Sequence, residues 1–192
     1  MLALTYDPHG PGQGHTREHK GRNTLGGDGG CCSSECAHPE MKQGPLIAVI
    51  GGRKADKGLR KEAEAVGRLI AQKGGILVCG GLHGIMESAS KGAKEAGGLT
   101  IGILPQDHKR DANPYIDLPI ATGLGIGRNV IIARTADALI AVGGEYGTLS
   151  EMAFGLQMKK PVVGISTWDI KGIVPAENAE DAVAKVFELL EA

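Results

Sequence analysis

Apolar residues in the greater part of this chain come in short unbroken runs, separated by stretches with helical spacing. Leu46-Ile47-Ala48-Val49-Ile50, Ile76-Leu77-Val78-Cys79, Leu99-Thr100-Ile101-Gly102-Ile103-Leu104, Ala138-Leu139-Ile140-Ala141-Val142 and Pro161-Val162-Val163-Gly164-Ile165 lack the alternation of a half-exposed strand. They predict strands buried on both faces. Leu118–Ala121 predicts a shorter one. Leu59, Ala63, Val66 and Ile70 form one helical face, and Gly74-Gly75 stop that helix. Ile85, Ala89 and Ala93 form another across residues 85–96, closed by Gly97-Gly98. Helices are also predicted over Arg128–Thr135, over Met152–Met158, and at the C-terminus, where Ala182, Val183, Val186, Phe187 and Leu190 point inward. The longest internal connection, residues 105–117, is polar and contains two prolines, and long ordered loops are often functional.

Strands alternating with helices predict an α/β fold: a doubly wound, mainly parallel sheet with helices on both faces, a Rossmann-like three-layer sandwich over residues 45–192. Ligands of such folds bind beyond the carboxyl ends of the strands, at the topological switch point. The turns at 51–57, 80–84, 123–128 and 143–148 all follow predicted strands and are expected to meet at that edge.

Residues 1–44 break the pattern. They are rich in Gly, Pro, His and Ser, without periodicity, and predict a disordered tail. Met41 stands just before the first strand as an alternative start. Cys31, Cys32, Cys36 and His38 are residue types that bind zinc, but the spacing is not Cys-x2-Cys and no second ligand pair follows. They read as free thiols in a tail, and no metal site is expected. Cys79, at a strand end, reads as a small core residue.

Composition narrows the partners. The 192 residues carry a formal net charge of −1, with two Phe, three Tyr and one Trp. That gives neither a basic footprint nor a stacking platform for nucleic acid. No apolar run is long enough to span a membrane, and no basic-then-apolar leader opens the chain, so a cytoplasmic protein is expected. Glycine is in excess, at 31 residues, part in the tail and part in the turns.

The turns carry the candidate chemistry. Gly143-Gly144-Glu145-Tyr146-Gly147-Thr148-Leu149-Ser150-Glu151 joins a buried strand to a helix. A glycine-rich turn there presents backbone N–H groups and a helix dipole to an anion. Thr148-Leu149-Ser150-Glu151 is also a Ser/Thr-x-x-Glu capping box, which by itself would only terminate a helix. The preceding Gly-Gly-x-x-Gly favours a phosphate held by Gly144, Gly147 and Thr148, with Glu151 facing the ligand. Gly51-Gly52, Gly80-Gly81 and Gly125 are candidates for the same close approach, although Gly80-Gly81 serves strand–helix packing equally well. Arg128 opens a helix, where a positive charge opposes the dipole. It is better placed if it meets an anion or Glu151. His83 reads as a loop residue near the site, and Arg53, Lys54 and Lys57 as a solvated loop. There is no Gly-x-Gly-x-x-Gly after the first strand, no P-loop and no nucleophile elbow, which argues against NAD chemistry, nucleoside triphosphate hydrolysis and serine hydrolysis.

From Leu46 to Thr167 these residues resemble the LOG-like (SLOG) Rossmann superfamily, whose better-known members are cytokinin-activating phosphoribohydrolases and many of whose relatives are labelled "possible lysine decarboxylase". The family pattern is Pro-Gly-Gly-x-Gly-Thr-x-x-Glu with an upstream Arg-Lys pair. Gly147, Thr148, Glu151 and Arg128 match it; Gly143 stands for the proline, Glu145 for a glycine and Asn129 for the lysine. Lys91–Gly98, Ile120–Gly125 and Lys160–Val163 resemble the molybdenum cofactor carrier proteins. The resemblance implies a homodimer or higher homo-oligomer that binds a phosphorylated heterocycle. A nucleoside 5'-monophosphate would be hydrolysed at its N-glycosidic bond, with Arg128 and Glu151 as catalytic residues and no required cofactor. Alternatively, a molybdopterin would be carried unchanged as cargo, or a nucleotide sensed.

Overall fold

The computed structural model describes residues 44–192. The tail and its Cys31, Cys32, Cys36 and His38 lie outside the described residues.

Seven strands form one sheet: β1 (Leu46–Gly51), β2 (Ile76–Cys79), β3 (Thr100–Leu104), β4 (Leu118–Ala121), β5 (Ala138–Val142), β6 (Val162–Ile165) and β7 (Val174–Ala176). Their order is β4-β3-β2-β1-β5-β6-β7, and every neighbouring pair is parallel. The helices are α1 (Lys57–Gln72), α2 (Ile85–Glu95), α3 (Asn129–Thr135), α4 (Tyr146–Gln157) and α5 (Ala179–Glu191). The chain winds from β1 outward to β4, then crosses back to β5 on the other side of β1. Right-handed crossovers in opposite directions place their helices on opposite faces.

Two apolar layers follow. Ile47 and Val49 of β1 face α1, α2 and α5, among Ala63, Val66, Ile70, Ala89, Val183 and Val186. Ala48 and Ile50 face α3 and α4, among Ile132, Ala133 and Met152. β5 is buried along its whole length, which is why its sequence is a continuous apolar run. The switch point lies between β1 and β5, in register from Ile47 opposite Ala138 to Gly51 opposite Val142. Gly51 is needed there, since a Cβ would come within 2.5 Å of the Ile85 side chain and 2.7 Å of the Val142 carbonyl oxygen.

The α/β reading stands, with a sheet that is parallel throughout rather than mainly so. One strand escaped the sequence reading. β7 has three residues with Pro175 at its centre, so it can sit only at the sheet edge, and it carries little pattern.

Helices α1 and α2 touch backbone to backbone. A Cβ on Gly67 would lie 1.9 Å from the Ala89 carbonyl oxygen, and one on Gly92 would lie 1.9 Å from that of Glu64. Neither obstacle is a flexible side-chain tip. Gly92→Ala is therefore expected to push the helices apart and lower stability by about 3 kcal/mol, at the upper end of ordinary overpacking. Chemical denaturation measures it; an unchanged midpoint would mean that α2 shifts at no cost.

Candidate functional site

A cleft of about 350 Å³ opens at the carboxyl edge of the sheet. It is lined by Gly51, Gly52 and Arg53 after β1, Leu82 and Met86 after β2, and Pro105 and Gln106 after β3. The segment before α3 adds Gly125, Ile126, Arg128 and Asn129, and the start of α4 adds Glu145, Gly147, Thr148 and Glu151. Its volume falls in the range of small-molecule sites, and it straddles the switch point. The loops after β1 and β2 are pressed together there: Ile85 N–H donates to the Gly52 carbonyl at 3.2 Å. Gly84, at φ +76°, would drive a Cβ to 2.4 Å from the Arg53 carbonyl oxygen.

The sequence-derived candidates divide into two groups. Gly51, Gly52, Gly125, Arg128, Gly147, Thr148 and Glu151 line the cleft. Gly80, Gly81 and Gly144 do not; they make room for other groups. A Cβ on Gly80 would fall 2.3 Å from Arg128 Nη2, so that glycine is the slot for the guanidinium. Gly81 packs on Gly102 and Leu104, and Gly144, at φ +121°, leaves space for the Thr148 side chain. His83 points into solvent and pairs with Glu87 at 3.4 Å.

The capping box does not form. The chain turns at Gly143 (φ +56°) and Gly144, so α4 begins at Tyr146 and Thr148 already lies within its first turn. Glu145 occupies the N-cap without a side-chain hydrogen bond. Uncapped N–H groups at a helix start remain free for an anion. Proline, with φ fixed near −65°, cannot take the conformation of Gly143. Thr167 Oγ1 and Ile165 brace this turn, the hydroxyl donating to the Gly143 carbonyl at 2.6 Å and Gly143 N–H donating to Ile165 at 2.9 Å.

Arg128 and Glu151 meet at the cleft floor. Arg128 Nη1 donates to Glu151 Oε1 at 3.3 Å and to Asn129 Oδ1 at 3.1 Å, and Nη2 donates to the Gly80 carbonyl at 3.3 Å. Both residues are only 6% exposed. Asn129 ties α3 to α4: its Nδ2 donates to the Gly147 carbonyl at 3.3 Å and to Ser150 Oγ at 2.9 Å. Ser150 Oγ in turn donates to Gly147 at 2.6 Å. The neutral side chain in place of the family's lysine is thus a structural tie.

Burial pushes the Glu151 carboxyl up to about 7, the Arg128 guanidinium pulling it back only in part. Burial also pulls Arg128 down, against the Glu151 carboxylate, but a guanidinium stays charged at neutral pH. A carboxyl raised from 4.5 to about 7 in the folded state binds a proton there that the unfolded chain has released. Its contribution to stability is complete below pH ~4.5 and is lost as pH rises to ~7, by on the order of 3 kcal/mol. Denaturation midpoints should fall across that window, and the Glu151→Gln variant should lack this component.

Cys79 sits beneath the site, accepting from Gly81 N–H at 3.3 Å, and its burial raises the thiol. Among the described residues no group of three or more His, Cys, Asp or Glu is placed to hold a metal ion, and no helix is long and apolar enough to cross a membrane. Leu82, Met86, Pro105, Gln106 and Ile126, which complete the cleft, carry no motif; only the length of the 105–117 connection hinted at the role of its first residues.

Comparison with known proteins agrees with this fold. Residues 44–190 match the family model of the SLOG cluster4 family. An uncharacterised protein of Archaeoglobus fulgidus is 46% identical over 145 residues, covering 71% of this chain and 91% of that protein. A cytokinin riboside 5'-monophosphate phosphoribohydrolase of Mycobacterium marinum is 36% identical over 124 residues, covering 63% of this chain and 57% of the relative. The molybdenum cofactor binding protein of Rippkaea orientalis superposes with a TM-score of 0.74 at 36% identity, covering 78% of this chain and 99% of its own.

Proposed function

Because the chain belongs to the SLOG cluster4 family, we propose that its cleft binds a phosphorylated heterocycle, namely a nucleoside 5'-monophosphate whose N-glycosidic bond it hydrolyses. The observation that carries this reading is the buried Arg128–Glu151 pair in the cleft. A carboxyl poised near neutrality is suited to proton transfer at that pH. The phosphate rests on the free N–H groups of Gly147 and Thr148, favoured by the α4 dipole. The bond between C1' and the ring nitrogen breaks, and the bonding pair leaves with the base, which takes up a proton. Water adds its oxygen to C1' and gives up a proton, so the products are free base and ribose 5-phosphate. Glu151 as carboxylate stabilises the positive charge developing on the sugar and accepts the proton of water. Arg128 holds that carboxylate in place and meets the sugar or phosphate oxygens.

Incubation with AMP and other nucleoside monophosphates, followed by chromatography of released base, tests the proposal. Absence of base with every nucleotide ends the hydrolytic reading.

A second reading is favoured by a different observation, the likeness to the molybdenum cofactor binding protein over nearly its whole length. In that reading the same turns hold the phosphate of a molybdopterin, which is cargo, and no bond is cleaved. Protection of the molybdenum cofactor from oxidation, without base release from nucleotides, would select it.

A further inference from the structure

We propose that Gln106 selects the ring of the ligand, its side-chain Oε1 accepting a hydrogen bond from an amino group on the edge of the heterocycle. This rests on the reading of the cleft as a site for a phosphorylated heterocycle. Among the described residues two side-chain polar atoms are buried without a hydrogen-bond partner, Gln106 Oε1 and Arg128 Nε. Both residues line the same cleft. One atom is an acceptor and the other a donor, and they do not satisfy each other. Buried polar atoms are nearly always paired in a working protein, so a ligand in the cleft has a donor to offer to one atom and an oxygen to the other.

The backbone that carries Gln106 is fixed. Its main-chain carbonyl accepts from Gly123 N–H at 3.0 Å, and the main-chain carbonyl of Pro105 accepts from Gly125 N–H at 3.0 Å. The segment that carries the amide is thus pinned to the one leading into α3. The surroundings suit a ring: Leu82, Met86, Pro105 and Ile126 supply apolar walls.

The topology sets the span. Gln106 follows β3, and the phosphate-binding turn follows β5; β2 and β1 lie between them. Three strand intervals place the two ends about 14 Å apart along the sheet edge, which suits a nucleotide laid with its phosphate at α4 and its base at Gln106. The amide is neutral, so it has no pull on phosphate and acts on the ring alone.

The test uses the full chain with Glu151→Gln, so that base release is slowed during the measurement. Calorimetric titration compares AMP with purine riboside 5'-monophosphate, which has hydrogen in place of the 6-amino group, and with ribose 5-phosphate. With Gln106 present, AMP is expected to bind about tenfold tighter than the analogue, the value of one hydrogen bond. Gln106→Met should abolish that preference and leave ribose 5-phosphate binding unchanged, which also shows that the variant is folded. Gln106→Glu, which keeps an acceptor, should retain it. A preference that survives Gln106→Met, or equal binding of the two nucleotides from the start, overturns the assignment of Gln106 alone. If neither the nucleotides nor ribose 5-phosphate bind, the phosphorylated-ligand reading falls, and this assignment with it.

Discussion

Glu151→Gln is expected to lower base release from nucleoside monophosphates by about 10²–10⁴-fold, the usual contribution of a positioned acid–base group. The fold should survive, because an amide oxygen can still accept from Arg128 Nη1, now 3.3 Å from the carboxylate. What disappears is the negative charge and the capacity to take a proton. The pH profile gives a second readout. The wild-type rate should rise with pH through about 7, where Glu151 ionises, and the residual rate of the variant should show no such step. Turnover close to wild type in Glu151→Gln would remove the carboxylate from the mechanism.

The largest effect on stability is expected from Glu151→Ala, and it should exceed that of Arg128→Met. The two halves of the ion pair are unequal when left alone. Without Glu151, the guanidinium remains buried, charged and short of an acceptor, which costs more than the roughly 1–3 kcal/mol of a neutral group left unpaired. Without Arg128, the carboxyl discharges by taking up a proton, which its burial already favours. The gap between the variants should therefore be widest near pH 6 and narrow above neutrality, where holding the carboxyl protonated becomes costly. Denaturant titrations at several pH values check this. Equal losses at pH 6 would mean that solvent reaches the pair.

Much of the frame was legible because burial on both faces writes itself into unbroken apolar runs. The runs beginning at Leu46, Ile76 and Ala138 became β1, β2 and β5 with little adjustment. Arg128 and Glu151 were legible for different reasons, one as a cation at an unfavourable helix start, the other as the end of a motif. The capping-box alternative for Thr148 fails because it turned on where α4 starts. Two consecutive glycines at positive φ reverse the chain early, and nothing local in Thr148–Glu151 signals that. Gly80 and Gly81 were ambiguous between ligand and packing, and only the arrival of Arg128 from 48 residues away decides for packing. Gln106 had only the length of its loop as a signal, since an unpaired amide oxygen is a property of what surrounds it in space.

The pairing of β1 with β5 has one more consequence. It joins segments 91 residues apart, as in the hydrogen bond from Leu46 N–H to Asp137, and the cleft lies across that seam. Neither winding holds a complete binding surface, so a ligand recognises only the closed sheet. Its affinity is withheld until these partners, far apart along the chain, have found each other, and at saturation it clasps both halves, stabilising the domain as a whole by RT ln(1 + [L]/Kd).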